Sequence, residues 1–333
     1  MFKKILSAKP YIIAEIGANH NGNFKKACTL IGSAKKAGCD AVKFQSWDEN
    51  LNCLSYYKKN KKDLNDYLKY KLTFNQLKDL RNLSKKIKID FGITPFTNRQ
   101  FKEAVKLKCD FIKIASMDLN NYPFINEVSK NKTTLIVSTG FSNIKEIVKA
   151  SKIIKKNKKK NIIFLHCLGL YPPKNENFIN LQNMKLIQKL TGFNTGFSDH
   201  TIWIETPLAA AALGARVIEK HFTYDKKAPG WDHSVSADFN EMKNLVYSSK
   251  RIYKLIGSQN RQLSVDEIKK SKIMRRSITI KREIKKNSKI TIYDLDLQRP
   301  GTGMPPELLT KVLNKKVKKN LITGNLLKKT DIK

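Results

Sequence analysis

Two histidines and two acidic residues between positions 194 and 233 are the residue types in this sequence best suited to chemistry. Asp199 and His200 end one apolar run, Glu219 and His221 end the next, and the alanine-rich segment ETPLAAAALGA separates the runs. If both runs are strands and the spacer is a helix, the two imidazoles reach the same edge of a parallel sheet. Imidazoles beside carboxylates suit a divalent metal ion with open coordination positions. The alternative is a pair of core or capping histidines.

Polar and charged residues end each of eight apolar runs between positions 11 and 223. The runs are 11–19, 41–47, 90–96, 111–116, 133–140, 161–167, 195–200 and 217–223, with amphipathic helical patterns between them. Eight strand–helix units predict an α/β fold, the (β/α)₈ TIM barrel, whose active sites lie at the C-terminal ends of the strands. The polar residues expected there are Glu15, Lys43, Gln45, Lys113, Ser116, Ser138, His166, Ser198, His200, Glu219 and His221.

The chain length and a change of pattern near the C-terminus predict two domains. Residues 1–257 carry the barrel pattern, and the polar stretch 258–274 predicts a helical linker. Residues 275–333 change to short strands and turns around RPGTG, which predicts a small, mainly-β domain. The segment 51–71, rich in Lys, Asn and Tyr, is expected to be a long loop after the second strand.

The net charge of +37 raises the question of nucleic-acid binding. The lysines are spread through nearly every predicted helix, with no basic stripe interleaved with aromatics, so no nucleic-acid partner is expected. No apolar stretch is long enough to span a membrane, and the five cysteines form no CxxC pair, so we expect a cytoplasmic protein. Cys167, beside His166, is the one candidate for a catalytic thiol.

A series of ordered motifs resembles the bacterial sialic acid synthase (N-acetylneuraminate synthase) family with its C-terminal antifreeze-like SAF domain. The motifs are AEIGANHNG, VKFQ, KIAS, STG, HC with YP four residues on, GFSDHT, EKHFT and RPGTG, and they cover essentially the whole chain. The resemblance implies condensation of phosphoenolpyruvate with an N-acylated amino-sugar aldehyde, N-acetylmannosamine or a related hexosamine. The products would be a nine-carbon 2-keto sugar acid and phosphate.

The resemblance also implies roles for individual residues. His200 and His221 match ligands of Mn²⁺ or Mg²⁺, and Glu15, Glu219 and His221 match groups at the reacting atoms. Phosphoenolpyruvate would be held by Lys43, Lys113, Ser116, Ser138 and Ser198. The sugar would be held by Gln45, Asp118, Tyr171, Asp232 and, from the small domain of a partner subunit in a domain-swapped homodimer, Arg299.

Two departures from the family pattern lie near the expected sugar site. Met117 and Asp118 follow KIAS where Gly-Glu is common, and Gly169 replaces an asparagine. The acceptor sugar is therefore left open between N-acetylmannosamine and the precursors of legionaminic or pseudaminic acid. Two other enzyme readings keep the barrel: a metal-dependent aldolase that uses pyruvate, and a 3-deoxy-octulosonate-phosphate type of synthase. A non-enzymatic module that binds glycan or nucleic acid is the third alternative.

Overall fold

Eight short apolar runs form parallel strands in the computed structural model, which describes residues 1–7 and 9–333. The strands are β1 (Tyr11–Gly17), β2 (Ala41–Gln45), β3 (Asp90–Thr94), β4 (Phe111–Ile114), β5 (Thr134–Ser138), β6 (Ile162–Cys167), β7 (Asn194–Asp199) and β8 (Val217–His221). They pair in chain order, and β8 closes the sheet on β1. The predicted (β/α)₈ barrel is confirmed.

Helices connect the strands and surround the barrel. They are α1 (Phe2–Ile5), α2 (Phe24–Ala37), α3 (Leu54–Lys59), α4 (Lys61–Tyr70), α5 (Phe74–Lys86), α6 (Asn98–Lys106), α7 (Tyr122–Ser129), α8 (Ile144–Lys156), α9 (Asn183–Thr191), α10 (Glu205–Ala212) and α11 (Phe239–Ile256). The prediction of a long loop at 51–71 is wrong, because α3 and α4 occupy most of it. Their aromatic residues Tyr57 and Tyr70 are buried, and tertiary packing of this kind outweighs a polar composition.

Polar residues at the start of several helices satisfy the free backbone N–H groups there. The Asn23 side chain accepts from the backbone of the first turn of α2. Thr73 and Gln76 form a reciprocal capping box at the start of α5, and α6, α8 and α11 begin with boxes of the same kind. These caps fix where the helices begin, and so fix the loops that leave the strand ends.

Alternation along each strand divides its side chains between the barrel interior and the helices. The side chains that fill the barrel interior at its N-terminal end are apolar. They include Tyr11, Ile13, Phe111, Ile136, Leu165 and Val217. Met1 and Phe2, at the start of α1, pack against this cluster together with the fully buried Ile5. The N-terminal end of the barrel is therefore filled, and α1, which the sequence patterns did not predict, covers it.

Gly92 leaves room for the ring of Phe111 inside the barrel. A Cβ at Gly92 would lie 2.2 Å from Cζ of Phe111, whose ring is fully buried. We expect Gly92→Ala to lower the free energy of unfolding by about 1–3 kcal/mol, because the packed interior cannot shift the ring cheaply. Urea unfolding followed by tryptophan fluorescence measures this, since all three tryptophans lie within residues 1–257.

Gly32 provides the matched control for that substitution. It lies within α2, and a Cβ there would meet no atom within 4 Å. Gly32→Ala should leave stability unchanged or raise it by up to about 1 kcal/mol, since alanine favours helix. Equal stability of the two variants would contradict the packing argument.

The chain divides into two units, residues 1–257 and residues 258–333. The second unit contains α12 (Val265–Met274), β9 (Ser277–Ile280), β10 (Leu295–Gln298) and α13 (Leu309–Val312), with β9 and β10 antiparallel around a small apolar core. A 3₁₀ turn at Ile292–Asp294 directly precedes β10. Among the described residues, no helix is long and apolar enough to cross a membrane.

Candidate active site

A cavity of about 230 Å³ opens at the C-terminal ends of the strands in the first unit. Twelve of the fourteen candidate residues line it; the two exceptions are Asp118 and Arg299. The twelve are Glu15, Lys43, Gln45, Lys113, Ser116, Ser138, Tyr171, Ser198, His200, Glu219, His221 and Asp232. Most of them alternate along their strands with residues that face the helices. The two-residue period of a strand therefore directs these side chains to the barrel interior.

Two buried lysine–carboxylate pairs lie at the base of this cavity. Lys43 Nζ lies 2.6 Å from Glu15 Oε2 and donates a hydrogen bond of 2.8 Å to Thr94 Oγ1. Lys113 Nζ donates to Glu219 Oε1 at 2.7 Å. Each ammonium group therefore lies against a carboxyl group in a site that water hardly reaches. This pairing makes the burial of all four groups tolerable.

The two carboxyl groups have different proton affinities. Burial raises the pKa of Glu15 to about 7, even though Lys43 opposes that shift. Burial acts on Glu219 in the same direction, but Lys113 and Lys43 outweigh it and lower its pKa to about 2. Ser198 Oγ adds a hydrogen bond of 3.0 Å to Glu219 Oε1. Glu15 can therefore exchange a proton near neutral pH, whereas Glu219 stays ionised.

His200 and His221 lie beside each other on the adjacent strand ends, with ring centroids 5.4 Å apart. His200 Nδ1 lies 2.6 Å from the Leu168 carbonyl oxygen, so Nδ1 carries the proton and donates it. Nε2 of His200 therefore keeps its lone pair. His221 Nδ1 is buried without a hydrogen-bond partner, 3.5 Å from Asp232 Oδ2.

The chemistry of these two rings fits a divalent metal. Burial lowers the pKa of His200 to about 4 and that of His221 well below its usual value, so both rings are neutral at pH 7. Neutral imidazole is the form that binds metal, and an unpartnered ring nitrogen is free to do so. Within residues 1–7 and 9–333, no group of three or more His, Cys, Asp or Glu is placed to hold a metal ion.

A third buried ion pair fixes the ends of β7 and β8 from the outer side. Lys220 Nζ donates to Asp199 Oδ2 at 2.7 Å and to the Thr201 carbonyl oxygen. Asp199 also accepts from the backbone and hydroxyl groups of Thr201. Since these residues alternate with His200 and His221, the pair holds the two imidazoles in position without entering the cavity.

The remaining candidates differ in their surroundings. Ser138 Oγ is buried without a hydrogen-bond partner, and Ser116 Oγ accepts a bond of 3.1 Å from Gly140 N. The Tyr171 ring stacks on His200 with centroids 3.8 Å apart. Burial raises the pKa of Asp232 to about 6. Asp118 lies in a neighbouring cavity, and Arg299 lies exposed in the second unit.

Cys167 does not have the environment of a nucleophilic thiol. Burial raises its pKa to about 11, which leaves almost no thiolate at neutral pH. Its sulfur lies 3.8 Å from His200 Nδ1, rather than beside His166 as the sequence neighbours suggested. His166 points to the helix side, where its Nε2 bonds the Ile179 carbonyl oxygen. These surroundings do not favour a thiolate at Cys167.

An aromatic wall on one side of the opening was missing from the sequence-based candidates. Trp47, Phe96 and Trp231 all line the cavity, and the Trp47 ring lies 5.1 Å from Phe96 and 5.3 Å from Trp231. Trp47 follows Gln45 by two positions, so the alternation that selected Gln45 also indicates Trp47. Trp231 comes from the loop after β8, and no local pattern predicts its position.

Comparison with known proteins shows that the chain is similar to sugar-acid synthases. Residues 30–261 match the NeuB family model and residues 275–333 match the SAF domain. N,N'-diacetyllegionaminic acid synthase of Campylobacter jejuni is 36% identical over 96% of this chain and 99% of its own length. Pseudaminic acid synthase of the same species is 33% identical over 97% and 96%. The crystal structure of N-acetylneuraminic acid synthetase from Leptospira borgpetersenii gives a TM-score of 0.73 at 32% identity, covering 79% of this chain and 90% of that chain.

Proposed function

The chain belongs to the NeuB family, and from that membership we propose that it condenses phosphoenolpyruvate with an N-acylated amino-sugar aldehyde. The products are a nine-carbon 2-keto sugar acid and phosphate. The observation that carries this proposal is the pair of buried lysines, Lys43 and Lys113, at the base of the cavity. Phosphoenolpyruvate carries dense negative charge, and a buried ammonium group beside hydroxyl donors is a suitable partner for it.

Each lysine has a carboxylate partner that the substrate can replace. Lys43 pairs with Glu15 and Lys113 with Glu219 in the ligand-free chain. When the substrate anion takes over the ammonium groups, the excess negative charge favours protonation of Glu15, whose pKa is already raised to about 7. Glu15 then has a proton to give to the aldehyde oxygen, and it becomes the base for the water that follows.

The proposed reaction balances in three steps. The enol carbon of phosphoenolpyruvate attacks the aldehyde carbon, and the aldehyde oxygen takes a proton, for which Glu15 is the donor. Water adds to the cationic C2 carbon and gives up a proton to the carboxylate. The bond between C2 and the phosphate oxygen then breaks as the C2 hydroxyl becomes the ketone, and the hydroxyl proton leaves with the phosphate as hydrogen phosphate. Ser116, Ser138 and Ser198 border the same cavity as hydroxyl donors to the anion.

We propose that His200 and His221 hold a divalent metal ion, Mn²⁺ or Mg²⁺. The unpartnered Nδ1 of His221 and the free lone pair of His200 Nε2 support this. Such an ion, when bound, polarises the aldehyde oxygen and so makes the carbonyl carbon a better electrophile. The free cysteines and the use of phosphoenolpyruvate also support a cytoplasmic location.

Phosphate release is the direct test of this function. The purified chain should release phosphate from phosphoenolpyruvate only when Mn²⁺ or Mg²⁺ and an acylated hexosamine are both present. Mass spectrometry should find a product that contains the sugar plus three carbons. Carbon–carbon bond formation with pyruvate in place of phosphoenolpyruvate would identify an aldolase. A requirement for a phosphorylated sugar would indicate a 3-deoxy-octulosonate-phosphate type of synthase.

We also propose a domain-swapped homodimer in which Arg299 serves the partner's barrel. Arg299 is exposed on the RPGTG turn, and a guanidinium there can hydrogen-bond a sugar amide or hydroxyl. An equal mixture of Arg299→Ala and His221→Ala chains should recover about a quarter of wild-type activity, because half of the dimers are hybrids with one intact site. Each variant alone should stay inactive, and mass spectrometry verifies the exchange. No recovery would mean that Arg299 acts within its own chain or not at all.

A further inference from the structure

The loop after β1, residues 18–23, and the loop after β8, residues 222–238, are joined by side chains that the proposed reaction does not use. Asp232 lies in the second of these loops. Four polar side chains of the two loops are almost completely buried: Asn19, Thr223, His233 and Ser236. Buried polar groups of this kind bond to other parts of the protein, and so they fix the backbone segments that they join.

Ser236 joins the two loops at the carbonyl group of Asp232. Asn19 Nδ2 donates hydrogen bonds to Ser236 Oγ at 2.8 Å and to the Phe222 carbonyl oxygen at 3.0 Å. Ser236 Oγ in turn donates to the Asp232 carbonyl oxygen at 2.6 Å. Since the hydroxyl accepts one bond and donates the next, the two bonds strengthen each other. The backbone of Asp232 is therefore fixed to the loop after β1.

His233, the next residue in the chain, is held at both ring nitrogens. Its Nδ1 lies 2.6 Å from Thr223 Oγ1, and its Nε2 lies 3.2 Å from Asn21 Oδ1. Asn21 Nδ2 donates to the Pro229 carbonyl oxygen at 3.0 Å, so Asn21 Oδ1 faces the ring as an acceptor and Nε2 carries the proton. The ring therefore cannot turn without losing a hydrogen bond at each nitrogen.

Gly17 leaves room for the Asp232 carboxylate to approach the active site. The register of β1 against β2 shifts between Glu15 and Gly17, and Gly17 has a φ of +50°. A Cβ there would lie 3.0 Å from Glu15 Oε1, 3.3 Å from Asp232 Oδ2 and 3.6 Å from Cε1 of His221. The three groups therefore converge on the space beside Gly17. A small movement of the loop after β8 would take Asp232 out of this group.

We propose that three side chains act as positioning residues for Asp232: Asn19, Ser236 and His233. They hold its backbone so that the carboxylate stays beside His221, whose Nδ1 lies 3.5 Å from Asp232 Oδ2. None of the three lines the candidate active site. The inference rests on the proposed function in one respect, the role of Asp232 as a sugar contact. A misplacement of about 1 Å at such a group can cost about 100-fold in rate.

A double-variant cycle on the full chain tests the proposal. With Mn²⁺ and the acylated hexosamine that the wild type uses best, we expect Ser236→Ala to lower kcat/KM for the sugar about tenfold or more. KM for phosphoenolpyruvate should change less than about twofold, whereas a general loosening of the site would raise both constants. His233→Phe, which keeps a ring but loses both hydrogen bonds, should act in the same way. In an Asp232→Ala chain, either substitution should change kcat/KM less than about twofold, because the group that they position is already absent.

Ser84→Ala is the matched control. Ser84 is also fully buried, and its Oγ donates to a backbone carbonyl oxygen, that of Leu80 at 2.9 Å within α5. Its loss should leave all kinetic constants unchanged. Equal losses of kcat/KM with and without Asp232, in variants whose thermal midpoints lie above the assay temperature, would overturn the proposal. They would mean that Ser236 and His233 act on the fold as a whole.

A crystal structure of the Ser236→Ala variant tests the same proposal without turnover, and His233→Phe takes its place if that variant does not fold. The Asp232 carboxylate should leave its position beside His221 Nδ1, whereas in Ser84→Ala it should stay there. An unmoved carboxylate would overturn the positioning role and leave the synthase function intact. Absence of phosphate release by the wild type with every acceptor would remove the proposed function, and the structural comparison would still decide the positioning role.

Discussion

Replacement of His221 by alanine is expected to lower kcat at least about 100-fold. Loss of a residue that only hydrogen-bonds a metal ligand already lowers metal affinity or activity about 10- to 100-fold. The same variant should bind Mn²⁺ much more weakly, which titration followed by the electron paramagnetic resonance of free Mn²⁺ measures without any turnover. The fold should survive. His221 Nδ1 has no hydrogen-bond partner to lose, and its removal relieves a buried unsatisfied nitrogen.

His166 supplies the contrast for this prediction. It lies on the helix side of β6 and bonds the Ile179 carbonyl oxygen, so His166→Ala should lower the thermal midpoint but keep Mn²⁺ affinity and kcat. Both assignments depend only on which side of a strand each histidine occupies. Wild-type Mn²⁺ affinity in His221→Ala would end the metal proposal for this pair of strands.

Replacement of Lys113 by methionine should raise KM for phosphoenolpyruvate at least about 100-fold, since a buried charge that loses its partner costs about 3–5 kcal/mol. KM for the sugar should change far less, because the lysine lies at the base of the cavity. Initial rates measured over both substrate concentrations separate the two constants. A uniform rise in both would show that the substitution disturbs the whole cavity instead.

The same substitution should also change how stability depends on pH. In the wild type the pKa of Glu219 lies at about 2, below its unfolded value of 4.5, so its stabilising contribution is present above about pH 4.5 and disappears as the pH falls toward 2. Without Lys113, burial raises this pKa and the variant should lose stability at neutral pH. The double variant Lys113→Met, Glu219→Gln should recover stability but not phosphoenolpyruvate binding. This result would assign the loss of stability to the unpaired carboxylate and the loss of binding to the missing cation.

The barrel and most of its active-site candidates could be predicted because both follow from short-range patterns. Lys43 and Gln45 stand two positions apart on one strand, as do Ser198 with His200 and Glu219 with His221 on theirs. A period of two therefore fixes the side of the sheet that each residue occupies. In a parallel barrel the C-terminal ends of all strands lie at the same end, so these side chains come together there.

What the sequence could not predict depends on contacts between distant segments. The polar composition of 51–71 concealed two helices whose tyrosines pack against the loop after β8. Lys113 was predicted as a phosphate ligand, but its partner Glu219 is 106 positions away, and pairing across the barrel is visible only in three dimensions. The cavity beside the candidate active site that Asp118 lines also contains Trp47 and Trp231, and no pattern within one segment contains all three.

In the described part of the first unit the N-terminal end of the barrel is filled under α1 and the candidate active site opens at the C-terminal ends of the strands, which has a consequence for kinetic order. Lys43 and Lys113 are only 2% and 4% exposed, whereas Tyr171 and Trp231 at the opening are 48% and 36% exposed. A sugar seated against those rings stands between the solvent and the lysines. Phosphoenolpyruvate must therefore enter first and the sugar second, so we expect compulsory-order addition. Excess sugar should inhibit by trapping enzyme that has not yet received phosphoenolpyruvate.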